Sequence, residues 1–123
     1  MSKSEDKIEQ IFRKAGVRCI REKTFKDLGN GKLRFDFYLP NFNILVEYDS
    51  LIHFKQVPKF HKNRQDFIHA QENDRRKNSY ALAKSIKLYR IPEWELMNIK
   101  NFSDILQDKF LVKTKWHNDI IYR

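Results

Sequence analysis

Cysteine is nearly missing from this chain: Cys19 stands alone in 123 residues. An internal disulfide and a cysteine-based zinc site are both excluded by count, and an intracellular setting is expected. No apolar run approaches the roughly 20 residues that a membrane-spanning helix needs, so no membrane partner is expected. The opening "MSKSEDKIEQ" lacks the apolar segment of a signal peptide; the expected localisation is cytoplasmic, in the producing cell or in an infected host. Internal repeats and linkers are also missing. The chain therefore reads as one domain over residues 1–123, with its core in residues 4–110 and a tail, residues 111–123, whose packing the sequence does not specify.

What is present is positive charge. Lys and Arg number 25 against 16 Asp and Glu, a formal +9. Such an excess points to a polyanion, most simply DNA or RNA, whose phosphates release counterions for each cation bound. With 41% hydrophobic and 33% charged residues the chain is globular rather than disordered.

Ser2 and Glu5 have capping-box spacing, and Ile8, Ile11, Phe12 and Ala15 form a helical stripe that Gly16 ends. "VRCIREKTF" reads as a strand and "DLGNGK" as a hairpin connection. In "KLRFDFYL" alternation predicts Leu33, Phe35, Phe37 and Leu39 on one face, with Arg34, Asp36 and Tyr38 on the other. After the turn "PNFN", "ILVEYD" reads as a central strand covered on both sides. Residues 50–64 show no period and read as a loop. A helix is expected from Gln65 to about Ser85, with Phe67, Asp74, Asn78, Ala81 and Leu82 near one face. "IKLYRIP" is a short strand stopped by Pro92, and Ser103 is placed to cap a last helix, "DILQDKFLV". The expected class is α/β: a mixed β-sheet flanked by helices in a single domain.

The chemistry concentrates in "RFDFYLPNFNILVEYDSLIHF", an apolar stretch interrupted by Asp36, Glu47 and Asp49 and followed by His53. Buried carboxylates are costly unless partnered. Glu47 and Asp49 share one side of their strand, and pairing through the tight turn brings Asp36 within reach of Glu47. Oxygens converging at a strand end hold Mg²⁺ in the usual way, leaving positions for water and phosphate. Glu9 lies on the flank of the first helix's buried stripe. Asp74 shares the apolar face of the long helix and needs a partner, either Lys or Arg or, more sharply, His53. His53 itself is suited to moving protons beside a phosphate.

The pattern "FDFYLPNFNILVEYD…H" followed by "ENDRRKNSYALAKSIKLYRI" resembles the very-short-patch-repair-like nucleases of the PD-(D/E)XK superfamily. Within it, the likeness is to the catalytic domains of phage homing endonucleases, of the EDxHD type. The resemblance covers Glu9 to about Ile91. It implies a PD-(D/E)XK-like fold and Mg²⁺-dependent phosphodiester hydrolysis, with Mn²⁺ able to substitute. It makes Asp36 the central metal ligand, assisted by Glu47 or the carbonyl of Tyr48. Asp49 takes the place of the superfamily's lysine, while Glu9, His53 and Asp74 match the first-helix acid, the loop histidine and the helix acid. The chain departs from the pattern in "DSLIHF", where Ser50 replaces a glycine that would reach positive φ freely.

The expected activity is therefore a metal-dependent endonuclease nicking double-stranded DNA, with Lys55, Lys59, Lys62 and Arg64 following the backbone and Lys77 aiding substrate or site. One site per chain implies a single nick unless the chain forms a homodimer, and sequence targeting would fall to a separate protein. The "DSLIHF" departure keeps open a nuclease fold that only binds nucleic acid, and RNA remains an alternative substrate.

Overall fold

A computed structural model describes residues 2–50 and 64–118. His53, Lys55, Lys59 and Lys62 lie outside the described residues, as does almost all of the stretch expected to be a loop.

Helix α1 spans Lys3–Lys14. The Ser2 hydroxyl accepts the Glu5 N–H at 3.1 Å, acids occupy its first turn and Arg13 and Lys14 its last, each charge opposing the helix dipole. Ile8, Ile11 and Phe12 are its buried stripe, and Gly16 carries the chain out at φ +69°, a left-handed conformation that glycine adopts readily. Strands β1 (Ile20–Thr24), β2 (Arg34–Leu39) and β3 (Ile44–Asp49) follow, then helix α2 (Arg64–Ala83) and strand β4 (Lys87–Pro92). The sheet order is β1-β2-β3-β4, antiparallel except for the parallel pair β3 and β4. β3 is central, and its Ile44 to Glu47 are all buried, as "ILVEYD" predicts. The fold is thus α/β, with a four-stranded mixed sheet flanked by helices.

Two apolar clusters lie on the two sides of this sheet. One joins Ile8, Ile11 and Phe12 of α1 to Phe37, Leu39, Val46 and Ile91; the other joins Ala81 of α2 to Phe35, Leu45 and Leu88. Phe35 and Phe37 therefore do not share a face, contrary to the alternation read from the sequence. The strand is irregular at Asp36. On one side the ladder skips from Arg21↔Phe37 to Lys23↔Phe35, and the intervening Glu22 adopts φ +52°. On the other, the Cα pairing with β3 ends at Phe37↔Val46. A change of local twist at a ladder defect is what turns a side chain to the other face.

The C-terminal third also differs from expectation. A 3₁₀ turn occupies Glu93–Asn98, and helix α3 is only Phe102–Ile105, capped by Asn101 rather than Ser103 in a reciprocal capping box with Asp104. Asparagine at that position satisfies the free Asp104 N–H, and Asp104 returns a bond to the Asn101 N–H. Leu82 is 42% exposed rather than on the buried face of α2. The tail packs on the core: Val112 is buried and its N–H bonds the Leu88 carbonyl.

A buried charge fastens these pieces together. Arg90, in β4, is 1% exposed. Its Nη1 donates to Asp49 of β3 at 2.8 Å, its Nε to Asn78 of α2 at 2.7 Å, and Nη2 lies 3.5 Å from the Asp74 carboxylate. Asn78 passes the connection to the tail by donating to the Lys115 carbonyl at 3.0 Å. Removing one member of a buried ion pair strands the other charge. Arg90→Met should accordingly destabilise the protein by about 3–5 kcal/mol in urea unfolding. A loss below about 1 kcal/mol would show that the acids find other compensation.

Candidate active site

The strand irregularity positions Asp36. Instead of continuing the β2–β3 ladder, its carboxylate accepts the backbone N–H of Tyr48 at 2.8 Å. The Asp36 side chain thus lies between the two strands, half-buried, and the Glu47 carboxyl is its hydrogen-bonding neighbour. Burial first, and then the charge of Glu47, push the Asp36 carboxyl up to about 8. Two acids sharing one small space cannot both ionise at little cost.

Glu47 is 2% exposed and has a cation on its other side: Lys77 of α2 donates to it at 2.9 Å. That ammonium also lies 5.5 Å from the centre of the Phe35 ring. Lys77 was expected at this helix for either of two purposes, and the structure puts it against the site acid. Arg64, the other expected nucleic-acid contact among the described residues, is exposed at the start of α2.

The remaining expected site residues separate from this pair. Asp49 shares the α2 side with Glu47, as the two-residue period requires, but it is fully buried against Arg90 and not against Asp36. The charged partner that the structure gives Asp49 is this guanidinium. Asp74 is on the buried face as anticipated, and the cation beside it is again Arg90. Glu9 is engaged by Arg21 at 2.7 Å and by Arg13 at 3.0 Å, and the Arg21 guanidinium holds its carboxyl below the usual range. The α1 acid whose charge bears on both Asp36 and Tyr48 is Glu5, one turn earlier, itself bonded to Arg21 at 2.9 Å. Arg21 and Arg90 carry no signal in the sequence that points to this site, and Glu5 reads there only as a capping residue. Glu5 could have been found as the i−4 neighbour of Glu9 on the same helix flank.

Among the described residues no group of three or more His, Cys, Asp and Glu side chains could hold a metal. The arrangement nevertheless suits a divalent cation in one respect. Asp36 and Glu47 face each other where the ladder opens, and a positive charge between them would relieve the part of the upward shift of Asp36 that comes from Glu47. The Tyr48 N–H already fixes one Asp36 oxygen, so the carboxylate is oriented in advance.

No protein-family model and no solved structure matches the chain. A relative named "Uncharacterized protein 307L", from Invertebrate iridescent virus 6, is 34% identical over 64 residues. The match takes in 52% of this chain and 32% of that protein, so the chain spans about a third of its relative's length.

The raised Asp36 carboxyl has a consequence for stability. Between its unfolded value near 3.8 and its folded value near 8, the folded state holds a proton that the unfolded state has released. Stability must then fall as pH rises through that window and level off above it. In metal-free buffer Asp36→Asn should remove this slope, because the amide oxygen can still accept the Tyr48 N–H without a charge. The variant should melt higher at the alkaline end by on the order of 5 °C. Parallel pH profiles for the two proteins would show that Asp36 is already ionised across the window.

Proposed function

We propose that the chain is a divalent-metal-dependent endonuclease of the PD-(D/E)XK type that hydrolyses phosphodiester bonds in double-stranded DNA. The observation that carries this reading is the convergence of Asp36 and Glu47, two carboxylates from adjacent strands, at the point where the ladder opens. The sequence likeness supplies the activity class, and the net +9 supplies the polyanionic substrate.

Asp36 and Glu47 would hold Mg²⁺, or Mn²⁺ in its place. When bound, the ion would polarise the phosphate and lower the pKa of a coordinated water. The chain's own groups have distinct tasks. Tyr48 orients Asp36 through its N–H. Lys77 neutralises Glu47 and stands ready to pair with a phosphate oxygen once the carboxylate turns to the metal. Glu5, held by Arg21, adds negative potential on the α1 side. Arg90 keeps Asp49 and Asp74 from contributing further charge, acting as a positioning residue for α2 and so for Lys77. His53 is the proposed proton carrier.

A second reading has a specific observation in its favour. Lys77 lies on Glu47 and Arg90 on Asp49, the arrangement expected of a nuclease fold that binds nucleic acid without cleaving it. Calorimetry distinguishes the two, because only the endonuclease takes up Mg²⁺.

Purified protein with Mg²⁺ should nick supercoiled plasmid, and Asp36→Ala should lower the rate at least 10²-fold or abolish it, on the order expected for losing a metal ligand. Lys77→Ala should weaken cleavage less severely. Undiminished nicking by Asp36→Ala would remove this residue from the mechanism.

A further inference from the structure

Helix α2 has a second, outward surface that the acid pair does not use, its floor mostly apolar and its rim charged. Asp74, Asn78 and Ala81 form its inward stripe. Glu72, Arg76, Ser79 and Ala83, at the opposite helical phase, line an open groove of about 620 Å³. Leu28, from the β1–β2 connection, and Lys115, from the tail, also line it.

The charge of this groove is uneven. Arg75, Arg76 and Lys115 contribute three cations against the single carboxylate of Glu72. Trp116, 44% exposed, holds two of them: the Arg75 guanidinium lies 4.8 Å and the Lys115 ammonium 4.7 Å from the centre of its ring. Several cations elsewhere on the fold are paired with acids, as Lys77 is with Glu47, Lys84 with Asp27 and Lys113 with Asp108. Among the described residues no carboxylate lies within ion-pair distance of Arg76 or Lys115. The tail also sets the groove's shape, because Asn78 anchors the Lys115 carbonyl from inside the helix.

We infer that this groove binds the phosphodiester backbone of a nucleic acid, as a second contact surface separate from the Asp36–Glu47 pair. Charge complementarity selects the ligand. Three cations spaced along one helix face and one flanking segment match a strand of regularly repeated phosphates, and an aromatic ring pre-positions two of them at little further entropic cost. The inference rests on the nucleic-acid substrate of the proposed function but not on its chemistry. It assigns to Arg75 and Arg76 a share of the binding.

The test measures binding of a short fluorescein-labelled DNA duplex by anisotropy, in EDTA, across a range of salt concentrations. Each phosphate contact contributes about 0.9 to the slope of log K against log salt, so the triple variant Arg75→Ala, Arg76→Ala, Lys115→Ala should have a slope shallower by about 2 to 3. At low salt it should bind at least about tenfold more weakly. Arg76→Glu with Lys115→Glu leaves Arg75 on Trp116, should weaken binding further, and serves if the triple variant does not fold. A control triple, Lys14→Ala, Lys32→Ala, Lys100→Ala, removes the same charge from exposed positions elsewhere. An equal loss in that control, or an unchanged slope in the groove variants, would overturn the assignment while leaving the nuclease reading intact. If the wild-type protein failed to bind the duplex at all, both would fall. Cleavage by Asp36→Ala tests the nuclease reading by itself.

Discussion

The buried guanidinium of Arg90 is the constraint on which the rest of the structure depends. A charge removed from water must be surrounded by acceptors, and Arg90 draws them from three directions: Asp49 on the neighbouring strand, Asn78 and Asp74 on the covering helix. Satisfying all of them fixes how far α2 is translated along the sheet and how it is rotated about its axis. Lys77 follows Asp74 by three positions, so the same docking that serves Arg90 delivers an ammonium to Glu47. An apolar helix face would pack with comparable strength but with a softer register, because dispersion contacts tolerate small slides that a guanidinium's hydrogen bonds do not. In this chain the polar stripe of α2 does the positioning and Ala81 the close packing.

Asp36 shows the other side of the same electrostatics. Asp49 lies beside a cation, whereas Asp36 faces an acid and its carboxyl is held well above the usual carboxylate range. The two aspartates are separated in the sequence by half of β2, a turn and the length of β3, yet their environments differ sharply. Glu47 stands between them, with Lys77 on one side and Asp36 on the other. Divergent environments for neighbouring acids are a frequent mark of a reactive site, although structural ion-pair networks produce them too. The distinguishing feature here is that Asp36 is half-buried at an open point of the sheet and Asp49 is sealed.

Much of the fold was legible because local rules and global packing agree. The Ser2 cap, the Ile8–Phe12 stripe, the hairpin and the doubly covered β3 all follow from residue spacing. So did the approach of Asp36 to Glu47, since a tight turn and antiparallel pairing leave little freedom. What failed depended on long-range contacts. Alternation placed Phe35 and Phe37 together, but the left-handed Glu22 and the inserted Asp36 carboxylate turn the strand between them. Arg90 lies in a strand that reads as apolar, and its partners are 12 to 41 residues away, so no local signal revealed it. Glu9 was singled out from its helical phase and from the resemblance's first-helix acid, and neither says where Arg21 of β1 reaches. Ser103 and Asn101 are both good caps by type, and only the Asp104 geometry decides between them.

The distribution of charge connects these observations to the chain's surplus of cations. Around the sheet's α2 side the balance is nearly even or acidic: Asp36, Glu47, Asp49 and Asp74 meet Lys77 and Arg90. On the α1 flank, Glu5 and Glu9 occupy Arg21 and Arg13. Among the described residues the surplus of cations therefore does not lie where the acids converge, and a polyanion attracted by it first meets the outer surface. A site that is locally negative within a positive protein repels a phosphate unless something positive is placed between them. That something can be Lys77 released from Glu47 or a divalent ion held by Asp36 and Glu47, and the second option also removes the repulsion between the two acids. The raised Asp36 carboxyl reflects its burial first and that unbalanced pair second.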